Sequence, residues 1–146
     1  MKVKRSANNP YHGFQDTLKD TIEEFDGKYK EIVKYCPSLF ALLCKILNDK
    51  ATDWNTKLMI DAALAYFVLP DDIIPDNEEA GYVDDLFIVC HVLKDIKDNV
   101  SSELIEANWE GKGNIIQLID ELYEKSNHIV KDQTSAILRR VGLQKY

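Results

Sequence analysis

From Leu58 to Leu69 every residue except Asp61 is apolar. A helix that is apolar on all sides has no solvent face, so it must lie inside protein or against lipid. Twelve helical residues extend only about 18 Å, well short of the roughly 30 Å hydrocarbon core of a bilayer. The run therefore reads as the central, most buried helix of a bundle, with peripheral membrane attachment as a weaker alternative. A second run, Leu86-Phe87-Ile88-Val89-Cys90-His91-Val92-Leu93, is interrupted only by His91. About 14 residues separate the two, enough to fold them back as an antiparallel hairpin. The expected fold class is all-α, a compact helical bundle of five to seven helices around a central buried antiparallel hairpin. Six Gly and four Pro in 146 residues leave little material for a turn-rich β-sandwich.

The connection between these runs carries the charge of the whole chain. Asp71, Asp72, Asp76, Glu78, Glu79, Asp84 and Asp85 face no Lys or Arg within it, and outside it 18 acids balance 18 bases, giving a net charge of −7. Nucleic acid is a poor partner for such a chain, because phosphate binding needs a basic footprint. The basic residues that do cluster, Lys2, Lys4 and Arg5 with Lys131, Arg139, Arg140 and Lys145, lie toward the two ends. Self-association through basic ends and the acidic connection is one reading of that asymmetry.

The remaining segments are read from periodicity and punctuation. Phe14, Leu18, Ile22, Phe25, Tyr29, Ile32, Val33 and Cys36 recur at helical steps, which predicts one amphipathic helix with Gly27 as its weak point. Pro37 ends it and opens a helix from Ser38 to about Ile46. Asp53 is an N-cap candidate before the apolar run, and Ser101 is one for a short helix through Leu104, Ile105 and Trp109. After the Gly111-Lys112-Gly113 break, Asn114 with Gln117 resembles a capping box for a last helix reaching toward Val141, with a bend or protruding end near Ser126 to His128. Residues 1–12 read as a flexible arm before a single domain of residues 13–146.

Cys36, Cys44 and Cys90 are an odd set without C-x-x-C spacing, each in or beside an apolar run. That pattern fits free thiols in a reducing compartment, and no apolar signal stretch follows Met1 to Arg5, so a cytoplasmic location is expected. With His91 these cysteines lack the local spacing of a zinc site. His12 and His128 are isolated. Gly-rich phosphate loops, G-x-S-x-G and H-E-x-x-H are all absent.

The connection carries Pro70-Asp71-Asp72-Ile73-Ile74-Pro75-Asp76 followed by Gly81-Tyr82-Val83-Asp84-Asp85. This two-part pattern resembles the YkvA-like family, a bacterial domain of unknown function numbered 1232. The positions that carry the resemblance are Tyr66, Pro70, Asp72, Ile74, Pro75, Asp76, Gly81, Asp84 and Asp85, within a core of about residues 57–93. The linker Asn77-Glu78-Glu79-Ala80 departs from the apolar, Pro-containing linkers common in the family, which weakens the membrane association the resemblance would imply. The resemblance implies no established reaction.

Two constellations remain as candidate sites. Asp72, Asp76, Asp84 and Asp85 offer oxygen ligands for Mg2+, Mn2+ or Ca2+. The same residues serve equally as helix caps and turn braces, for which no cofactor is needed, and this structural reading is the expectation here. Asp61 and His91 stand at similar depth in an antiparallel hairpin and are expected to form a buried polar pair. With no nucleophile in view, catalytic residues are not assigned. The leading expectation is a non-enzymatic interaction or regulatory module with a protein partner or a second copy. Its alternatives are a divalent-metal-dependent enzyme using the Asp cluster and a peripheral membrane protein.

Overall fold

The structure, a computed structural model, describes residues 12–68 and 82–143. Among these the chain is all helical: α1 (His12–Glu24), α2 (Lys30–Val33), α3 (Cys36–Asn48), α4 (Trp54–Val68), α5 (Val83–Asn99), α6 (Ser102–Asn108), α7 (Ile115–Val130) and α8 (Thr134–Arg140). Seven remain if the four-residue α2 is counted as a turn.

The helices begin where local chemistry directs. The Asp53 carboxylate accepts from the Thr56 backbone N–H at 2.8 Å, Ser101 Oγ from Leu104 N–H at 3.1 Å, and Asn114 Oδ1 from Gln117 N–H at 3.2 Å. Each satisfies one donor that a helix start leaves open. The Asn114 box is only half closed, because the Gln117 amide turns forward to Glu121. Pro37 stands in the first turn of α3, where its missing N–H costs nothing.

Two expected continuities do not hold. The helix predicted from Phe14 to Cys36 stops at Glu24, because Phe25 swings over Gly27 and packs edge-on against Tyr82, ring centroids 5.5 Å apart. A Cβ on Gly27 would lie 2.2 Å from that ring. The terminal helix breaks after Val130, beyond the polar stretch expected to bend it. Ser126 within that stretch is buried and returns its hydroxyl to the Leu122 carbonyl at 2.7 Å, so it sits comfortably inside α7.

The larger correction concerns the centre. α5, not α4, is the buried axis: residues 83–90 are buried without interruption, and α5 packs against α2, α3, α4, α6, α7 and α8. Its broadest partner is α7. There Phe87 stacks on Tyr123 with centroids 5.7 Å apart, and Lys97 bridges Asp98 and Asp120 at the rim. Among the described residues α4 packs chiefly against α3 and α5. Thr56, Ile60, Ala63, Leu64, Tyr66 and Phe67 turn inward, while Trp54, Leu58 and Val68 remain 72%, 53% and 41% exposed. An apolar sequence states that a helix has no polar face; it does not state how many neighbours cover it.

Candidate functional site

The part of the motif that the structure describes is a junction between α4 and α5. Tyr66 comes from the last turns of α4 and Asp84 from the first turn of α5. The Tyr66 hydroxyl donates to Asp84 Oδ2 at 2.7 Å, in a setting where Asp84 is 0% exposed and Asp85 2%. A helix start suits carboxylates, because its open N–H groups and dipole favour negative charge there. Burying an Asp is otherwise costly, so a donor such as the Tyr66 phenol is part of what permits it. The bond joins the two helix ends that flank residues 69–81, as an antiparallel hairpin requires.

Two residues before Asp84, Tyr82 holds a left-handed backbone conformation at φ 68°, which L side chains seldom adopt. Its carbonyl accepts the Leu86 N–H at 3.0 Å and lies 4.0 Å from Cys36 Sγ, and its ring is held by Phe25. Strained backbone of this kind persists where surrounding contacts fix it. Four elements thus converge on one corner: the turn after α1, the start of α3, the end of α4 and the start of α5.

Of the candidate metal ligands, Asp84 and Asp85 are in this corner. Asp72 and Asp76 lie outside the described residues, as do Pro70, Ile74, Pro75 and Gly81 of the motif. Consecutive helical residues project about 100° apart and do not face one another, so Asp84 and Asp85 alone make a poor chelate. No group of three or more His, Cys, Asp or Glu among the described residues is arranged to hold a metal ion.

Asp61 and His91, expected as a pair, each have described neighbours on other helices. Asp61 is partly exposed on α4, with its carboxyl pushed above the usual range by desolvation and its charge felt by Cys44 of α3. His91 lies in an aromatic strip toward α7, its ring 6.2 Å from Phe87 and 6.5 Å from Tyr123. Equal depth along a hairpin places two residues at one level; it leaves open which way each one faces.

With this geometry in view, comparison with known proteins is informative at family level. Residues 56–90 match a family model described as a protein of unknown function, DUF1232. The likeness to that family is confined to this stretch of the chain. The YkvA-like resemblance of the motif fits this family. The matched residues comprise most of α4 and the first half of α5, so the matched stretch contains the Tyr66–Asp84 junction. Over 145 residues, 98% of this chain and 96% of the relative, the sequence is 26% identical to "Uncharacterized protein ORF9" of Methanothermobacter thermautotrophicus. No solved structure matches the chain.

Sequence reasoning did not foresee the outer stripe of α4. Trp54, Leu58, Asp61, Ala65 and Val68 follow one another at steps of four, three, four and three, so they share one helix face. All five are exposed or partly exposed. The spacing was readable in the sequence, but in a wholly apolar helix every face has such a spacing. Among the described residues, no helix is long and apolar enough to cross a membrane.

Proposed function

We propose that this protein is a non-enzymatic helical interaction module, in which the DUF1232 segment locks the α4–α5 hairpin and presents the outer face of α4 to a partner. The observation that carries this reading is the exposure of Trp54, Leu58 and Val68 on a helix otherwise packed into the core. Their exposed side chains amount to on the order of 300 Å2 of apolar surface, the size of patches that commonly mark interaction sites. The buried state of Asp84 and Asp85 supports the same view, because a carboxylate sealed from solvent braces a fold more readily than it meets a substrate.

A photo-crosslinking residue in place of Leu58, tested in the native cell, should trap a polypeptide, whereas the same residue in place of exposed Glu121 should not. Thermal melts with Mg2+, Mn2+ and Ca2+ test the rival enzyme reading, because a cation bound to the folded state raises Tm by mass action. A metal-induced rise that disappears in both Asp72→Asn and Asp84→Asn, with no trapping from position 58, would replace the interaction reading with the metal-dependent one.

A further inference from the structure

The outer face of α4 has an order of side-chain sizes that selects its occupant. Its bulk is weighted to one end: Trp54 and Leu58 come first, then Asp61 with Ala62 beside it, Ala65 and Val68. Paired in parallel with a copy of itself, such a face sets Trp on Trp and Ala on Ala, leaving a void that close packing disfavours. Paired antiparallel, each large side chain meets a small one, with Trp54 opposite Val68 and Leu58 opposite Ala65. The two-fold axis then passes beside Asp61 and Ala62.

The charges obey the same symmetry. Asp61 stands in the middle of the stripe and Lys57 at its edge one turn earlier, and both are partly exposed. A two-fold axis at Asp61 places Asp61 of one copy about 6 Å along the axis from Lys57 of the other, within reach of a lysine side chain. Two reciprocal ion pairs result, and they offset the approach of the two Asp61 carboxylates. A face whose sizes and charges both complement themselves under one rotation is what an isologous interface requires.

We infer that α4 pairs antiparallel with α4 of a second copy of this chain, through Trp54, Leu58, Ala62, Ala65 and Val68 and the reciprocal Lys57–Asp61 pairs. This rests on the interaction reading above and names its partner. The exposed apolar area is less than half of the roughly 800 Å2 per partner of a standard stable interface, so the dimer is reversible. Its dissociation constant should fall on the order of 10–100 µM.

Sedimentation velocity from about 1 µM to about 1 mM covers that range. The weight-average sedimentation coefficient should climb from monomer to dimer across the series. Ala65→Lys should shift the midpoint at least tenfold, while its far-ultraviolet circular dichroism and melting stay those of the wild type. Lys57→Asp and Asp61→Lys should each weaken association, and the double variant, which restores opposite charges across the axis, should regain it. These two variants sit at partly exposed positions and keep the test decisive if Ala65→Lys fails to fold.

Orientation is read by oxidation. The three native cysteines are buried, so Ala62→Cys introduces the accessible thiol. Ala62→Cys should crosslink to itself, Trp54→Cys should not, and a mixture of Trp54→Cys with Val68→Cys should. A chain that stays monomeric throughout, a dimer indifferent to the charge swap, or self-crosslinking by Trp54→Cys would each overturn the proposal. Flotation of a monomer with phosphatidylcholine–phosphatidylserine vesicles would overturn it in favour of lipid. Photo-trapping from position 58 of a different polypeptide, with no self-association, would overturn it too, yet leave the interaction reading standing.

Discussion

Replacing Tyr66 by Phe removes one oxygen atom and nothing else. The ring stays in a site where Tyr66 is nearly fully buried, so no cavity opens, and the effect comes from the lost hydroxyl, which donates to Asp84 at 2.7 Å. Withdrawing a donor from a buried carboxyl oxygen costs about 1–3 kcal/mol, a sizeable part of the total of roughly 5–15 kcal/mol for a domain. With a urea slope near 1.5 kcal/mol/M the unfolding midpoint should fall by about 0.7–2 M, and Tm by about 3–10 °C. The assay is equilibrium urea unfolding followed by circular dichroism, with Tyr123→Phe as a control at a half-buried ring for which a change below about 0.5 kcal/mol is expected. The double variant Tyr66→Phe/Asp84→Asn closes a thermodynamic cycle, and a coupling of at least about 0.5 kcal/mol should remain because the two residues share one contact. An unchanged midpoint in Tyr66→Phe, or strictly additive single effects, would refute the claim that this bond locks the hairpin.

The burial pattern makes further predictions. Ala63→Lys, at a fully buried position, should cost several kcal/mol, whereas Ala65→Lys on the outer face of the same helix should melt within about 1 kcal/mol of the wild type. The Asp53 carboxyl is held below its ordinary range by the Thr56 hydroxyl and the Thr56 N–H. Its stabilisation is therefore fully present above the unfolded carboxyl value and is lost as pH falls through the lower folded one. Melting temperature against pH from 2 to 7 should show this acid loss diminished in Asp53→Asn, which keeps an acceptor but cannot titrate. Burial, helped by the charge of Asp61, pushes the Cys44 thiol up to about 12, and burial raises that of Cys90 as well. Labelling of these thiols by a disulfide reagent at pH 8 should be at least about a thousandfold slower in the native protein than in urea; comparable rates would contradict the buried placement.

What the sequence disclosed follows the range of the interactions concerned. Asp53, Ser101 and Asn114 were readable as caps because a cap and its N–H partner lie three residues apart. Pro37 was readable because its ring chemistry acts on its neighbours. The junction was half readable: Tyr66 and Asp84 both belonged to the motif, but nothing local pairs residues 18 positions apart. The rank of α4 and α5 was misread because hydrophobicity measures a helix's need for cover and not its supply. The α5 run is shorter before it turns polar, yet among the described residues it packs against six other helices, whereas the more apolar α4 packs chiefly against two.

The place of α5 has a consequence for how the chain leaves the ribosome. Synthesis is vectorial, at about 5–20 residues per second, so the roughly 30 residues from the end of α4 to the end of α5 take about 2–6 s to appear. Throughout that interval α3 and α4 exist without α5, which packs against both. The first half of the protein should therefore expose apolar surface on the nascent chain until α5 is made. That exposure should end with the emergence of Asn99, a moment that arrested chains of graded length would locate.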